Sequence, residues 1–165
     1  TLHELGNVAS AFAYNTATQA VTDGTNPVMA LNTKWWDTDE MVDLTNDRIE
    51  LKFSGLYMCT ASVRWAPSLA MDDVQITIET ATAAGVFTAN VAGSNCSSAD
   101  TIAPFLNCSG LLPFDSRAAI DRVFVRATLY QYIDGGGVTT VNAEPSGKSN
   151  FLSVVKVSEL PQLLV

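Results

Sequence analysis

Histidine is nearly missing from this chain: His3 is the only one among 165 residues. Catalysis that pairs a serine or cysteine nucleophile with an imidazole base has almost no raw material here. Cysteines are few and odd in number, Cys59, Cys96 and Cys108, and together with His3 they lack the close ligand spacing of a structural zinc site. Positive charge is also scarce. Nine Lys and Arg against 17 Asp and Glu leave a formal net charge of -8, a surface that repels phosphate backbones and argues against nucleic-acid binding. No apolar run approaches the roughly 20 residues that span a bilayer, and no secretory leader opens the chain, so no membrane insertion is expected. The sequence begins at Thr1 without methionine, so a leader, an initiator residue or a longer N-terminal region is expected to have been removed or to lie outside it. Long amphipathic helix patterns, heptads, internal repeats and catalytic motifs are absent as well.

What is present is alternation. In Arg48 to Phe53 the residues Ile49, Leu51 and Phe53 point one way and Arg48, Glu50 and Lys52 the other, the period-two signature of a half-buried strand. Across Ser54-Gly55 the pattern resumes, with Tyr57, Cys59, Ala61, Val63 and Trp65 on one side and Leu56, Met58, Thr60, Ser62 and Arg64 on the other. Both faces carry apolar groups at the start, so this strand is expected to be covered on both sides, by a second sheet or a neighbouring subunit. Further strands are predicted at Val8–Tyr14, Val28–Asn32, Val74–Ala81, Val86–Val91, Arg122–Ile133, Val138–Asn142 and Phe151–Val157. Strands at this density, with 47% hydrophobic residues, predict an all-β antiparallel sandwich built on one core. The whole of 1–165 is read as one domain, with residues 1–25 as an N-terminal arm and first strand. Gly135-Gly136-Gly137 reads as a hairpin turn and not as a phosphate loop, because no helix start or lysine follows it. Residues 92–113, rich in Ser, Asn, Gly and Pro, read as a long irregular loop.

Few residues invite a chemical role. The acidic run Asp37, Asp39, Glu40, Asp43 and Asp47 offers oxygens to calcium or a carboxylate pair to a sugar, but it lacks the spacing that would converge 6–8 ligands; a solvated loop is preferred. Trp35 and Trp36 precede it, and Tyr130 and Tyr132 share one face of a late strand. Exposed aromatics of this kind stack on sugars or anchor interfaces. Neighbouring residues of an extended strand face opposite ways, so one of the two tryptophans is expected to point outward or into a subunit contact. Trp65 is read as core. Cys59 reads as a buried small hydrophobe, while Cys96 and Cys108 lie in loop-like sequence where either a disulfide or two thiols fits. Both also fall in Asn-Cys-Ser tripeptides, Asn95–Ser97 and Asn107–Ser109, which match a glycosylation acceptor and are read here as coincidence.

The order of elements supports a likeness. WWDTDEMVDLTNDRIELKFSGLYMCTASVRW, then DRVFVRATLYQYI, then NFLSVVKV resembles the globular head of the complement and tumour necrosis factor superfamily. The matching marks are Gly55-Leu56-Tyr57 opening a strand, the strand entry Asp121-Arg122-Val123 and Ser149-Asn150-Phe151-Leu152 in the last strand, in order between about Asn26 and Val157. The Trp-Asp-Thr segment and the strand ending Val-Arg-Trp look most like copies in bacteriophage structural proteins. The resemblance implies a jelly-roll sandwich that forms a homotrimer, with Tyr57, Tyr130 and Phe151 at the subunit contacts. Departures are the lack of a collagen-like stalk and Ile120-Asp121 where Gly-Asp is usual, and no calcium position carries over.

The resulting expectation is a non-enzymatic structural or binding module of a phage virion, as capsid decoration or tail fibre, with other virion proteins or a host-surface receptor as partners. Binding is assigned to loops carrying Trp35, Trp36, Asp37, Asp39 and Phe105, with no cofactor or metal. Two alternatives stand beside it: a secreted, extracellular signalling or lectin-like trimer of cellular origin, and a carbohydrate-active enzyme using Asp and Glu pairs.

Overall fold

The computed structural model describes residues 8–66, 72–97, 104–119, 121–141 and 149–159. His3 and Asn142 lie outside them. The strands are β1 Ser10–Tyr14, β2 Gln19–Thr22, β3 Thr33–Asp37, β4 Val42–Asp43, β5 Arg48–Leu51, β6 Gly55–Arg64, β7 Asp73–Ala81, β8 Phe87–Ser97, β9 Phe105–Phe114, β10 Val123–Tyr132, β11 Val138–Val141 and β12 Phe151–Ser158. They form two five-stranded antiparallel sheets, ordered β3-β1-β12-β6-β9 and β4-β5-β10-β7-β8, with β11 and β2 as a separate ribbon.

The alternation read in the sequence decides which side chains meet between the sheets. From β6 the inward set is Tyr57, Cys59, Ala61 and Val63, with Trp65 just beyond; opposite lie Ile76 and Ile78 of β7 and Val125, Ala127 and Leu129 of β10, all essentially without solvent exposure. Truncating any of the larger ones to alanine is expected to cost about 2–5 kcal/mol, because the lost contacts leave a cavity. Tyr57, assigned by the resemblance to a subunit contact, belongs to this core. Its ring is fully buried and its hydroxyl donates to the Phe53 carbonyl at 2.7 Å, so no surface of it remains for a second chain.

Three further expectations change. Residues 92–113 are not a long loop: β8 runs through to Ser97 and β9 from Phe105, leaving a connection of which Pro104 is the described end. Gly93, Asn95, Asn107 and Ser109 occupy the solvent side of these strands, while Leu106, Cys108 and Phe114 of β9 point to the core. Composition therefore masked an alternation that burial obeys. Val28–Asn32 is not a strand. It contributes one bridge, Val28 to Thr128, and lies along β10 beyond the end of β5, with Met29 N–H donating to Ala127 O and Leu129 N–H to Pro27 O. Pro27 itself has no N–H to extend the ladder. The glycine run closes a turn, Gly136 N–H to Ile133 O at 2.9 Å, but not a hairpin, since β11 leaves β10 and pairs with β2, Val138 opposite Thr22. Gln131 holds that ribbon to the body from a fully buried position. It donates to Val21 O at 2.6 Å and accepts from the Thr139 hydroxyl, satisfying groups whose orphaning costs about 1–3 kcal/mol.

Of the two readings open for Cys96 and Cys108, the structure has two thiols. Cys108 lies inside the sandwich, opposite Ala61 in the β6–β9 ladder, whereas Cys96 pairs with Val74 in the other sheet.

Candidate functional site

The face of the first sheet that turns away from the core is laid out in rows by strand register. One row runs Thr33, Tyr14, Phe151, Ser62, Asn107; the next Trp36, Phe12, Ser153, Thr60, Ser109; the next Ser10, Val155, Met58, Leu111. The result is an aromatic corner over β3, β1 and β12, a polar middle of small hydroxyl side chains, and an aliphatic strip over β12, β6 and β9. Arg64 and Phe105 close the far end opposite one another.

Alanine on the other side creates the aromatic corner. In β1 the inward positions are Ala11 and Ala13, fully buried, so the large residues of Ala-Phe-Ala-Tyr fall outward. Phe12 is the hub. Its ring stacks on Phe151 with centroids 4.8 Å apart and 23° between planes, and lies 4.8 Å from Trp36 and 5.6 Å from Trp35. Adjacent strand residues should face opposite ways, yet both indoles lie on this side. The register shifts between Phe12 and Ala13, whose partners are Trp36 and Lys34, so Trp35 is the extra residue of a bulge. A bulge sets two residues against one and redirects the side chain. The expectation that the pair splits between faces is thus corrected: Trp35 is 62% and Trp36 40% exposed.

The residues named in advance do not all converge. Trp35, Trp36 and Phe151 meet in the aromatic corner, and Phe105 lies on the same face but across it, 50% exposed on a strand and not on a loop. Tyr130 is half-buried on β10, in the other sheet, and Tyr57 is core. Phe12, Met58 and Leu111 were missed. The outward phase of β1, of β6 and of β9 was the available signal for them.

The acidic run is dispersed into local supports. Asp37 ends β3 with its carboxylate almost wholly buried: Oδ1 accepts the Met41 N–H at 2.6 Å, and Oδ2 the Val42 N–H at 3.2 Å and Lys34 Nζ at 3.3 Å. It stitches the turn that leads into β4, the opposite of a binding-loop role. Asp39 accepts from the Thr38 hydroxyl at 2.5 Å, Asp43 from Arg48 Nε at 2.9 Å, and Asp47 from the Leu31 N–H at 2.7 Å. Burial pushes the Asp47 carboxyl above its ordinary value. Among the described residues no three His, Cys, Asp or Glu side chains gather as a metal site.

No protein-family model matches the chain, and no curated protein sequence matches it significantly. Solved structures do. Murine APRIL superposes with a TM-score of 0.62 at 10% identity, over 92% of this chain and 100% of that one. Eiger TNF from S. frugiperda gives 0.58 at 13% identity, over 93% and 95%, and the globular domain of zebrafish complement 1qA protein gives 0.55 at 9%, over 93% and 99%. The fold is a tumour necrosis factor-like jelly roll. In this jelly roll the first and last strands are neighbours in the sheet that carries the aromatic corner, so the face joins parts of the chain that are far apart in sequence.

Proposed function

We propose that this chain is a non-enzymatic structural and binding module that works as a homotrimer on a bacteriophage particle, as capsid decoration or at a tail fibre that contacts a host-surface receptor. One observation carries the trimer: the outward face of the β3-β1-β12-β6-β9 sheet presents Trp35, Trp36, Phe12, Met58 and Leu111 to solvent or only partly covered. Apolar side chains gathered on one face in this way mark an interaction site. Charge points to the same face. In a chain of net charge -8, the outward residues of the paired rows over β1, β12, β6 and β9 are uncharged apart from Arg64, so identical copies meet there with the least repulsion. The non-enzymatic reading is supported by Asp37, Asp39, Asp43 and Asp47 being bound to backbone N–H groups and side chains that hold the turns around them.

Sedimentation equilibrium tests the assembly: a mass near three times 17.6 kDa is expected, and a stable monomer overturns it. Imaging of particles labelled on this protein separates the two virion roles, since density on capsid faces excludes a tail tip.

The second reading, an extracellular signalling or lectin-like trimer, is favoured by the cellular proteins that share the fold. Asn95 and Asn107 are both exposed. Intact mass spectrometry of protein from its native source decides it: glycan on either asparagine supports this reading and removes the virion one, and two unmodified asparagines remove its main chemical support.

A further inference from the structure

On the other sheet, facing away from the apolar rows, β7 and β10 turn an ion pair outward. Arg126 and Glu79 are opposite one another in the ladder, with Arg126 Nε 2.6 Å from Glu79 Oε1 and Nη1 donating to the Gly85 carbonyl at 2.9 Å. Their side chains are only 17% and 11% exposed, so the pair is a fixed floor and not a mobile surface contact. Above it lies an open basin of about 420 Å³ whose remaining lining includes Asn26, Gln75, Asn90 and Phe87.

That size falls within the roughly 300–1,000 Å³ of small-molecule sites, but those are mostly apolar; here amides and hydroxyls prevail. The floor is electrically balanced. Glu79 opposes an anion and Arg126 an isolated cation, which leaves a neutral ligand rich in hydroxyl groups. Hydrogen-bonding capacity is also left over: Glu79 Oε2 receives only the Thr128 hydroxyl at the long distance of 3.5 Å, and Arg126 Nη2 makes no hydrogen bond among the described residues. A carboxylate acceptor beside a guanidinium donor suits two adjacent hydroxyls, one donating and one accepting. The three amides each add a donor and an acceptor, and Phe87, 49% exposed, supplies a flat apolar wall for the C–H face of a ring.

We infer that this basin binds a neutral saccharide. It contains one carboxylate, where glycoside hydrolysis uses two, so the sugar is bound and not cleaved. The inference does not rest on trimer formation, because every lining residue belongs to one protomer and to the face opposite the apolar rows.

The test is a titration of isotope-labelled protein with D-glucose, D-galactose, D-mannose and N-acetyl-D-glucosamine, followed by NMR. At least one sugar is expected to move the side-chain amide signals of Asn26, Gln75 and Asn90 and to leave the indole N–H signals of Trp35 and Trp36 in place. Phe87→Ala, at an exposed position that the fold tolerates, is expected to weaken that sugar about tenfold, and Asn90→Ala to weaken it as well. Amide signals unmoved by all four sugars overturn the inference. Shifts confined to the two indoles, or a Phe87→Ala protein that binds as tightly as the parent, do so too.

Discussion

Cys59 and Cys108 sit between the sheets, where a thiolate would lose its hydration, and burial pushes their pKa values up to about 12 and about 11. The thiolate is the reactive species, so at about pH 8 a maleimide is expected to leave both unmodified in the folded protein and to label both after denaturation, as peptide mapping will read. Labelling of Cys108 in the native state would mean that the sandwich opens at β9, and labelling of Cys59 that it opens at β6. Glu50 shows the opposite shift. The hydrogen bond from Arg122, Nε to Oε1 at 2.5 Å, holds its carboxyl below the ordinary value. A depressed folded value means that the pair's stabilisation is present above the unfolded value of about 4.3 and is lost as pH falls through the folded one. Arg122 is 64% exposed, so solvent screens the pair and the effect is small. Glu50→Gln is expected to lower Tm slightly near neutral pH, with the difference from the parent closing as pH falls below the unfolded carboxyl value. At this scale the sequence was legible where a side chain answers to its own strand's alternation, as with Trp65 and Cys59. Asp37 was not: its role depends on backbone N–H groups at Met41 and Val42 that only the turn brings to it.

Where β8 and β9 meet, the edges of the two sheets close on each other, and Gly110 makes that approach possible. A Cβ there would lie 2.7 Å from the Val91 carbonyl oxygen and 2.9 Å from Val91 Cγ1. Backbone cannot rotate aside as a side-chain tip can, so Gly110→Ala is expected to destabilise by about 1–3 kcal/mol, measured as a lower urea midpoint with the slope unchanged. An unchanged midpoint would show that the two edges are free to separate. The same glycine helped disguise β9 in the sequence. Gly110 together with Asn107, Ser109 and Pro113 reads as loop by propensity, yet tertiary burial of Leu106, Cys108 and Phe114 overrides it. The bulge in β3 had no such signal. Two adjacent tryptophans say nothing of register, and which of them is extra emerges only from pairing with β1.

Taken whole, the molecule has one sheet face with an aromatic corner and an aliphatic strip and another that carries an ion pair and amides, and the proposed assembly uses the first. Met58 and Leu111 are adjacent in register and are 38% and 54% exposed, so replacing both by glutamate leaves the core untouched. Met58→Glu with Leu111→Glu is expected to reduce the sedimentation mass to 17.6 kDa with a β-type circular dichroism spectrum retained, because buried unpaired carboxylates oppose association. A variant of parental mass would move the contact elsewhere. The all-β sandwich was legible from the alternation in β6, β7 and β10, whose inward sets are the core. The neighbours within each sheet were not. Tyr57, Tyr130 and Phe151 ended in the core, on the second sheet and on the apolar face respectively, since pairing between distant strands is fixed by long-range burial that no local window contains. That pairing also sets a clock. The Phe12–Phe151 stack unites β1 with β12, so the aromatic corner comes into being only once the ribosome has released nearly the last strand. A chain halted short of β12 therefore has the facing edges of β1 and β6 unpaired and no aromatic corner, and bare edges of that kind favour clumping.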